Sequence, residues 1–299
     1  MESLYTRETL ENLFRTKKPN LASRSLATYV NTIMRIQREV GQPNEVELEE
    51  WLDVMKPTQA RNFMTPIMIM YDGRHRRLFD KYNAAANRDL DQQRLSPAEM
   101  RHWVDKKSIK RMIKRLREDC QTHKVFASRG PEAKWRLRQM YVLWSIHYEL
   151  PWRNILNACR VVEKASEATD SKNYYCIREQ SFLISVFKTK NIFKRNGHKL
   201  PLVHRVSAPL AMLIKKHVDG EFLFTDMKGK PLSKNAYSNL LTGATKRYLA
   251  KRVGSSLWRH IYLTDWSRNT RTLVERRKMA FRFHQASLVT QMRYNRPEA

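Results

Sequence analysis

Apolar positions spaced three and four residues apart dominate the first third of the chain. Leu26, Tyr29, Val30, Ile33 and Ile36 fall on one face of a helix, as a 3.6-residue period requires when one stripe is buried. Residues 46–55 predict a second short helix with Leu48, Trp51 and Leu52 inside. Residues 58–71 form a third apolar segment, which Pro66 should kink or break because a mid-helix proline removes a hydrogen bond. Residues 72–94 have weak periodicity and read as a final short helix running into a linker. Ser96-Pro97-Ala98-Glu99 then marks a boundary: serine as cap, proline at the first helical position and glutamate three residues after the cap. The helix that follows is expected to carry Met100, Trp103, Val104, Met112, Ile113 and Leu116 inward.

A further helix over 134–148 precedes a change of period. Residues 173–178 and 181–188 are rich in Tyr, Ile, Phe and Val and separated by a short polar break, which predicts a hairpin. Asn196-Gly197 is a turn signal, and 198–204 is expected to return as a third strand. Helices resume over 208–218, 233–250, 256–266, 272–283 and 287–293. The expected fold is mainly α with a small antiparallel β-sheet (α+β), in two domains, 1–95 and 96–299, without internal repeats.

Charge sharpens this division. The 299 residues hold 57 Lys+Arg and 29 Asp+Glu, a formal net charge of +28. Residues 1–97 are nearly balanced, with 15 basic and 13 acidic side chains, whereas 98–299 hold 42 and 16. Such an excess raises the energy of the folded state by self-repulsion unless a polyanion neutralises it. Nucleic acid is the natural candidate, since each neutralised phosphate releases a condensed counterion. An anionic membrane surface normally attracts a compact basic amphipathic segment instead. Lys106, Lys107, Lys110, Arg111, Lys114, Arg115 and Arg117 form one basic helix face, either phosphate-binding or merely solvated. No apolar run approaches the roughly 20 residues of a membrane span, and the N-terminus lacks a signal-peptide core. Cys120, Cys159 and Cys176 form no CxxC, which suits a reducing compartment and argues against structural zinc. The expectation is an intracellular protein found with nucleic acid, with no membrane partner.

P-loop, GxGxxG and HExxH motifs are absent, and the scattered acids of 98–299 give poor support to a Mg²⁺-dependent nuclease. A basic protein can instead cut DNA with a side-chain nucleophile while arginine, histidine and lysine neutralise the phosphoryl charge. Four blocks fit that chemistry: Leu150-Pro151-Trp152-Arg153-Asn154; Phe187-Lys188-Thr189-Lys190; Ser256-Leu257-Trp258-Arg259-His260-Ile261-Tyr262-Leu263-Thr264; and His284 followed by Tyr294. In order and context they resemble the tyrosine recombinase (phage-integrase-like) family, most closely its divergent branch in large DNA viruses and mobile elements.

The resemblance covers essentially the whole chain and implies a helical core-binding, DNA-clamping domain over 1–95 and a catalytic domain over 96–299. It implies that Arg153, at a helix start, and Arg259 are the two catalytic arginines. Lys188, at a strand end, would protonate the leaving 5′ oxygen, with Lys190 and Lys194 as alternatives. His284 would donate to a non-bridging phosphate oxygen, and Tyr294 would be the nucleophile that forms a 3′-phosphotyrosyl bond. Tyr237, Tyr248 and Tyr262 are the other tyrosines nearby in sequence, but only Tyr294 follows the histidine. His260 either orients the site or satisfies a buried hydrogen bond. Ser256 stands where the family usually has histidine, so the usual proton acceptor is missing or replaced. Double-stranded DNA is the implied partner, with self-association as dimer or tetramer on it, and no cofactor, metal or ATP is called for. Five residues follow Tyr294, so self-association should not use the C-terminal helix of many relatives. Three rival readings are a type IB topoisomerase, a catalytically decayed DNA-binding protein on this fold, and an RNA-binding protein, to which Tyr174 and Tyr175 lend little.

Overall fold

The computed structural model describes residues 5–42, 44–92, 94–127, 130–285 and 287–296. The fold is mainly helical with one small sheet, an α+β architecture, and the chain divides into two compact units, residues 1–94 and 95–299.

The first unit is built on α1 (Arg7–Lys17), α2 (Ser23–Glu39), α3 (Glu45–Asp53), α4 (Pro57–Met70) and α5 (Arg76–Asp91). Its core gathers Leu10 and Phe14 of α1, the expected stripe of α2, and Leu48 and Leu52 of α3. Helix α4 continues through Pro66 without the break that was one of the two expected outcomes. A mid-helix proline costs about 3 kcal/mol, but Met64, Ile67 and Met70 are buried around it, at roughly 1.5–3 kcal/mol each. Burial wins. Helix α5 is longer than its weak periodicity suggested because its buried stripe is narrow, Leu78, Tyr82 and Ala86 at four-residue steps. Beside that stripe Lys81 bonds Glu49 and Asp53, and the Tyr82 hydroxyl donates to Asp53 Oδ1 at 2.8 Å.

The second unit starts with α6 (Pro97–His102), where Ser96 and Glu99 close the capping box. The expected single helix is two. Trp103 is extended, and the Asp105 side chain accepts from Ser108 N, capping a new helix, α7 (Lys106–Thr122). Met100, expected inside, is therefore exposed, while Ile109, Met112, Leu116 and Cys120 of α7 are buried. Helix α8 (Glu132–Glu149) is buried on most sides, as a central helix must be, and packs against α7.

The sheet has the order β1 (Arg160–Val162), β2 (Tyr174–Cys176), β3 (Ser181–Ile184), β4 (Leu202–Arg205). It is mixed rather than antiparallel. The β2–β3 hairpin and the β3–β4 pair are antiparallel, but β1 runs parallel to β2, with Val161 beside Tyr175. Three residues are too few to show a period, so β1 left no mark in the sequence pattern. Strand β3 also ends at Ile184, short of the expected 188, because the Asn173 side chain takes over the next backbone groups. Its Oδ1 accepts from Ser185 N and Val186 N at 3.0 and 2.7 Å, and its Nδ2 donates to Val186 O at 2.9 Å. The chain thus leaves the sheet, and Lys188 sits in a connecting turn rather than at a strand end. Asn196-Gly197 closes a short helix, α9 (Lys190–Arg195), instead of a hairpin, with Gly197 at φ +80°.

Helices α10 (Ala208–His217), α11 (Lys234–Leu249), α12 (Ser255–Ser267), α13 (Leu273–Arg282) and α14 (Leu288–Met292) complete the unit, within two residues of the expected bounds. Among the described residues no helix is long and apolar enough to cross a membrane.

Candidate active site

Helix α12 is the platform of the site. Trp258 and Ile261 are buried, and Trp258 Nε1 donates to His147 O at 2.7 Å, which locks the helix against α8. The residue between these anchors, Arg259, is consequently drawn inside and is only 2% exposed. Its guanidinium lies 5.3 Å from the Phe283 ring centroid and 5.0 Å from that of Tyr294.

One stripe of the same helix holds the segment around Tyr294. His260 Nδ1 donates to Tyr294 O at 3.0 Å, Thr264 Oγ1 accepts from Arg296 N at 2.9 Å, and Ser267 Oγ donates to Asn295 Oδ1 at 2.8 Å. These positions, i, i+4 and i+7, lie above one another on the helix. The His260 ring also stacks on Tyr294, with centroids 4.6 Å apart, and its Nε2 faces Glu99 at 3.6 Å. Burial and Arg296 push His260 down to about 4, so it is neutral at pH 7 and carries its proton on Nδ1.

Arg153 arrives from the far end of α8. No helix begins there, contrary to the sequence expectation: residues 151–155 form a loop, since Pro151 lacks the N–H that would carry α8 onward. Trp152 is buried and its Nε1 donates to Arg282 O at 2.7 Å, which turns Arg153 back toward the site. Arg153 Nη2 then donates to Tyr294 Oη at 2.7 Å. Arg153, Lys188, Arg259, His284 and Tyr294 line one pocket, together with Thr189 and Gln285. Lys190 and Lys194 are not among its lining residues, nor are Tyr237, Tyr248 and Tyr262.

The electrostatics follow from this crowding. Burial opposes ionisation of Tyr294 most strongly of any single influence, yet Arg259, Arg153 and Lys188 together outweigh it and hold the phenol below its usual pKa of 10. Burial lowers Arg259 to about 10, so it stays cationic at neutral pH. Titration of tyrosine labelled at Cζ should thus show Tyr294 ionising below pH 10, and Arg153→Ala should raise that value. A Tyr294 resonance that titrates at or above 10 in the native chain would refute this reading of the pocket. The linkage has a definite sign. The folded pKa lies below the unfolded one, so the phenolate adds stability only at alkaline pH, and that increment is lost as pH falls through the folded pKa.

His284 follows the end of α13 in the left-handed region, at φ +53°, while Gln285 N bonds back to Ala280 O, a helix-ending geometry. Its ring stacks on Trp152 at 5.2 Å, and Thr189 Oγ1 donates to its carbonyl at 2.7 Å. His284 Nε2 lies 2.9 Å from His204 Nε2 on β4. Burial depresses both rings, His204 to about 4, so two neutral imidazoles share one hydrogen bond and His284 Nε2 is already engaged. Ser256 is exposed in the first turn of α12 and does not line the pocket.

On α7, Lys106 departs from the expected phosphate-binding row. Its Nζ bonds Asp265 Oδ2 at 3.0 Å and lies 4.5 Å from the Tyr262 ring centroid. Lys107, Lys110, Arg111, Lys114, Arg115 and Arg117 are exposed, and Lys114 lies 3.8 Å from Glu118. Among the described residues no group of three or more His, Cys, Asp or Glu side chains is placed to hold a metal ion.

Sequence reasoning passed over His204, Thr189 and Gln285. His204 is one of two inward positions on β4, visible only once the strand register is known.

No model of a known protein family and no curated protein sequence matches this chain. Among solved structures, the crystal structure of XerA recombinase aligns over 97% of this chain and 93% of its own length, at 11% identity and a TM-score of 0.43.

Proposed function

We propose that the protein is a DNA strand-cleaving and rejoining enzyme of the tyrosine recombinase type, acting through a 3′-phosphotyrosyl intermediate. One observation carries this reading: Arg153 and Arg259, 106 positions apart in the chain, meet at the hydroxyl and ring of Tyr294 in one pocket. A phenol is a poor nucleophile near neutrality, and two guanidinium groups answer both of its needs. They lower its pKa, and they bind the oxygens of the phosphodiester as charge develops on them.

In this mechanism a DNA phosphate enters the pocket and takes over Arg153. Tyr294 Oη loses its proton to water and attacks phosphorus; the new O–P bond forms as the bond to the 5′ oxygen breaks. Lys188, exposed at the pocket rim, supplies the proton that the leaving 5′ oxygen takes up. The phosphotyrosyl bond conserves the phosphodiester energy, so a 5′ hydroxyl of another strand reverses the step without ATP. Residues 95–299 would be the catalytic domain and residues 1–94 the core-binding domain, with double-stranded DNA as partner. Exchange between two duplexes would require self-association on DNA.

The exposed basic row of α7 is the proposed phosphate contact. Replacing Lys110 and Arg111 together by alanine should lower the slope of log affinity against log salt by up to about 2, at roughly 0.9 per phosphate contact. An unchanged slope would move DNA off this helix. The catalytic reading is tested by incubating the full chain with a nicked suicide duplex and separating products under denaturing conditions: a covalent protein–DNA species is expected. Relaxation of supercoiled plasmid by a monomer would favour the type IB topoisomerase variant of the same chemistry. The exposed position of Ser256 supports a second reading, a DNA-binding protein without catalysis, which predicts salt-sensitive binding and no covalent species.

A further inference from the structure

Gln285 lines the same pocket and is 5% exposed, yet neither its Nε2 nor its Oε1 has a hydrogen-bond partner. A primary amide buried in this way forfeits the bonds it would make to water, and such groups are rare in folded proteins. Its backbone is fixed by the bond from Gln285 N to Ala280 O. A second orphan lies in the same pocket: Arg259 Nε, also buried and without a partner. Two buried donors left open around one cationic hollow describe a site built for an anion that brings its own acceptors.

The histidine beside it does not fill this role through Nε2. That atom of His284 is already paired with His204. The carbonyl end of Gln285 is the lesser demand, because Arg153, Lys188 and Arg259 give the pocket an excess of donors.

We infer that Gln285 is a further catalytic residue, whose Nε2 donates to a non-bridging oxygen of the phosphoryl group in the pocket. The inference rests on the proposed phosphoryl chemistry. It adds to that chemistry a neutral donor that holds the oxygen without adding charge. Loss of one such donor aimed at a developing oxyanion lowers rates by about 10²-fold.

The test uses the full chain with ¹⁵N-labelled glutamine and inorganic phosphate as probe. The Gln285 side-chain amide, identified by its disappearance in Gln285→Glu, should shift saturably as phosphate is added. An amide that does not respond overturns the inference, whatever the rates. Adduct formation on the nicked duplex should fall about 10²-fold in Gln285→Ala, and further in Gln285→Glu, which keeps the shape but sets a carboxylate against the phosphate. If Gln285→Glu is instead the more active of the two, the side chain only fills space and the inference fails. The parent reading fails differently: no adduct from the unaltered chain, while the amide still responds to phosphate.

Discussion

Tyr294→Phe is expected to abolish the covalent protein–DNA species, a loss of at least about 10⁴-fold, the scale seen when a nucleophile is removed from a site that otherwise stays assembled. The substitution deletes one oxygen. The ring remains, with its stack on His260 and its contact with the Arg259 guanidinium. The hydrogen bond from Arg153 is lost, at about 1 kcal/mol of stability, so the protein should remain folded. DNA affinity should change less than twofold, because Arg153 is then released to the phosphate. Tyr262→Phe is the control: that ring lies under Lys106 rather than in the pocket and should leave the adduct unchanged. Equal adduct from the Tyr294 variant would assign the nucleophile elsewhere.

Arg259→Ala should lower the rate of adduct formation about 10³-fold, the upper range for one preorganised donor at a developing oxyanion. Arg259→Lys should not restore it, because a point charge does not reproduce a planar fork that serves two oxygens. The pH dependence separates this from a loss of packing. Arg259 is the largest of the influences that lower the Tyr294 pKa, so its removal raises that pKa and moves the rising limb of the pH–rate profile to higher pH. Stability should move the other way. No ion pair to Arg259 is present among the described residues, and burial already lowers its pKa to about 10. Replacing such a cation by Met should therefore stabilise the fold, by about 1 kcal/mol in urea denaturation. A variant that loses activity and stability together would mean that Arg259 is chiefly structural.

Arg153, Lys188, Arg259, His284 and Tyr294 are singled out in the sequence by the resemblance of the blocks that hold them rather than by periodicity, and the fold brings the five side chains to one pocket. What stayed hidden depends on side chains that act on distant backbone. Asn173 ends β3 by capturing Ser185 and Val186, which no local propensity encodes. Asp105 restarts a helix that the apolar pattern continues without interruption. Pro66 reads as a breaker until the burial around it is known. His204 and Gln285 are ordinary polar residues in sequence, and only the fold sets one against His284 and leaves the other without a partner.

The most direct measurement is the location of the DNA on the protein. After trapping on a nicked duplex and digestion with trypsin and nuclease, mass spectrometry should find a nucleotide 3′-phosphate on the peptide containing Tyr294, with a free 5′ hydroxyl on the released strand. A phosphonucleotide on any other side chain, or on none while DNA is bound at saturation, would contradict the account.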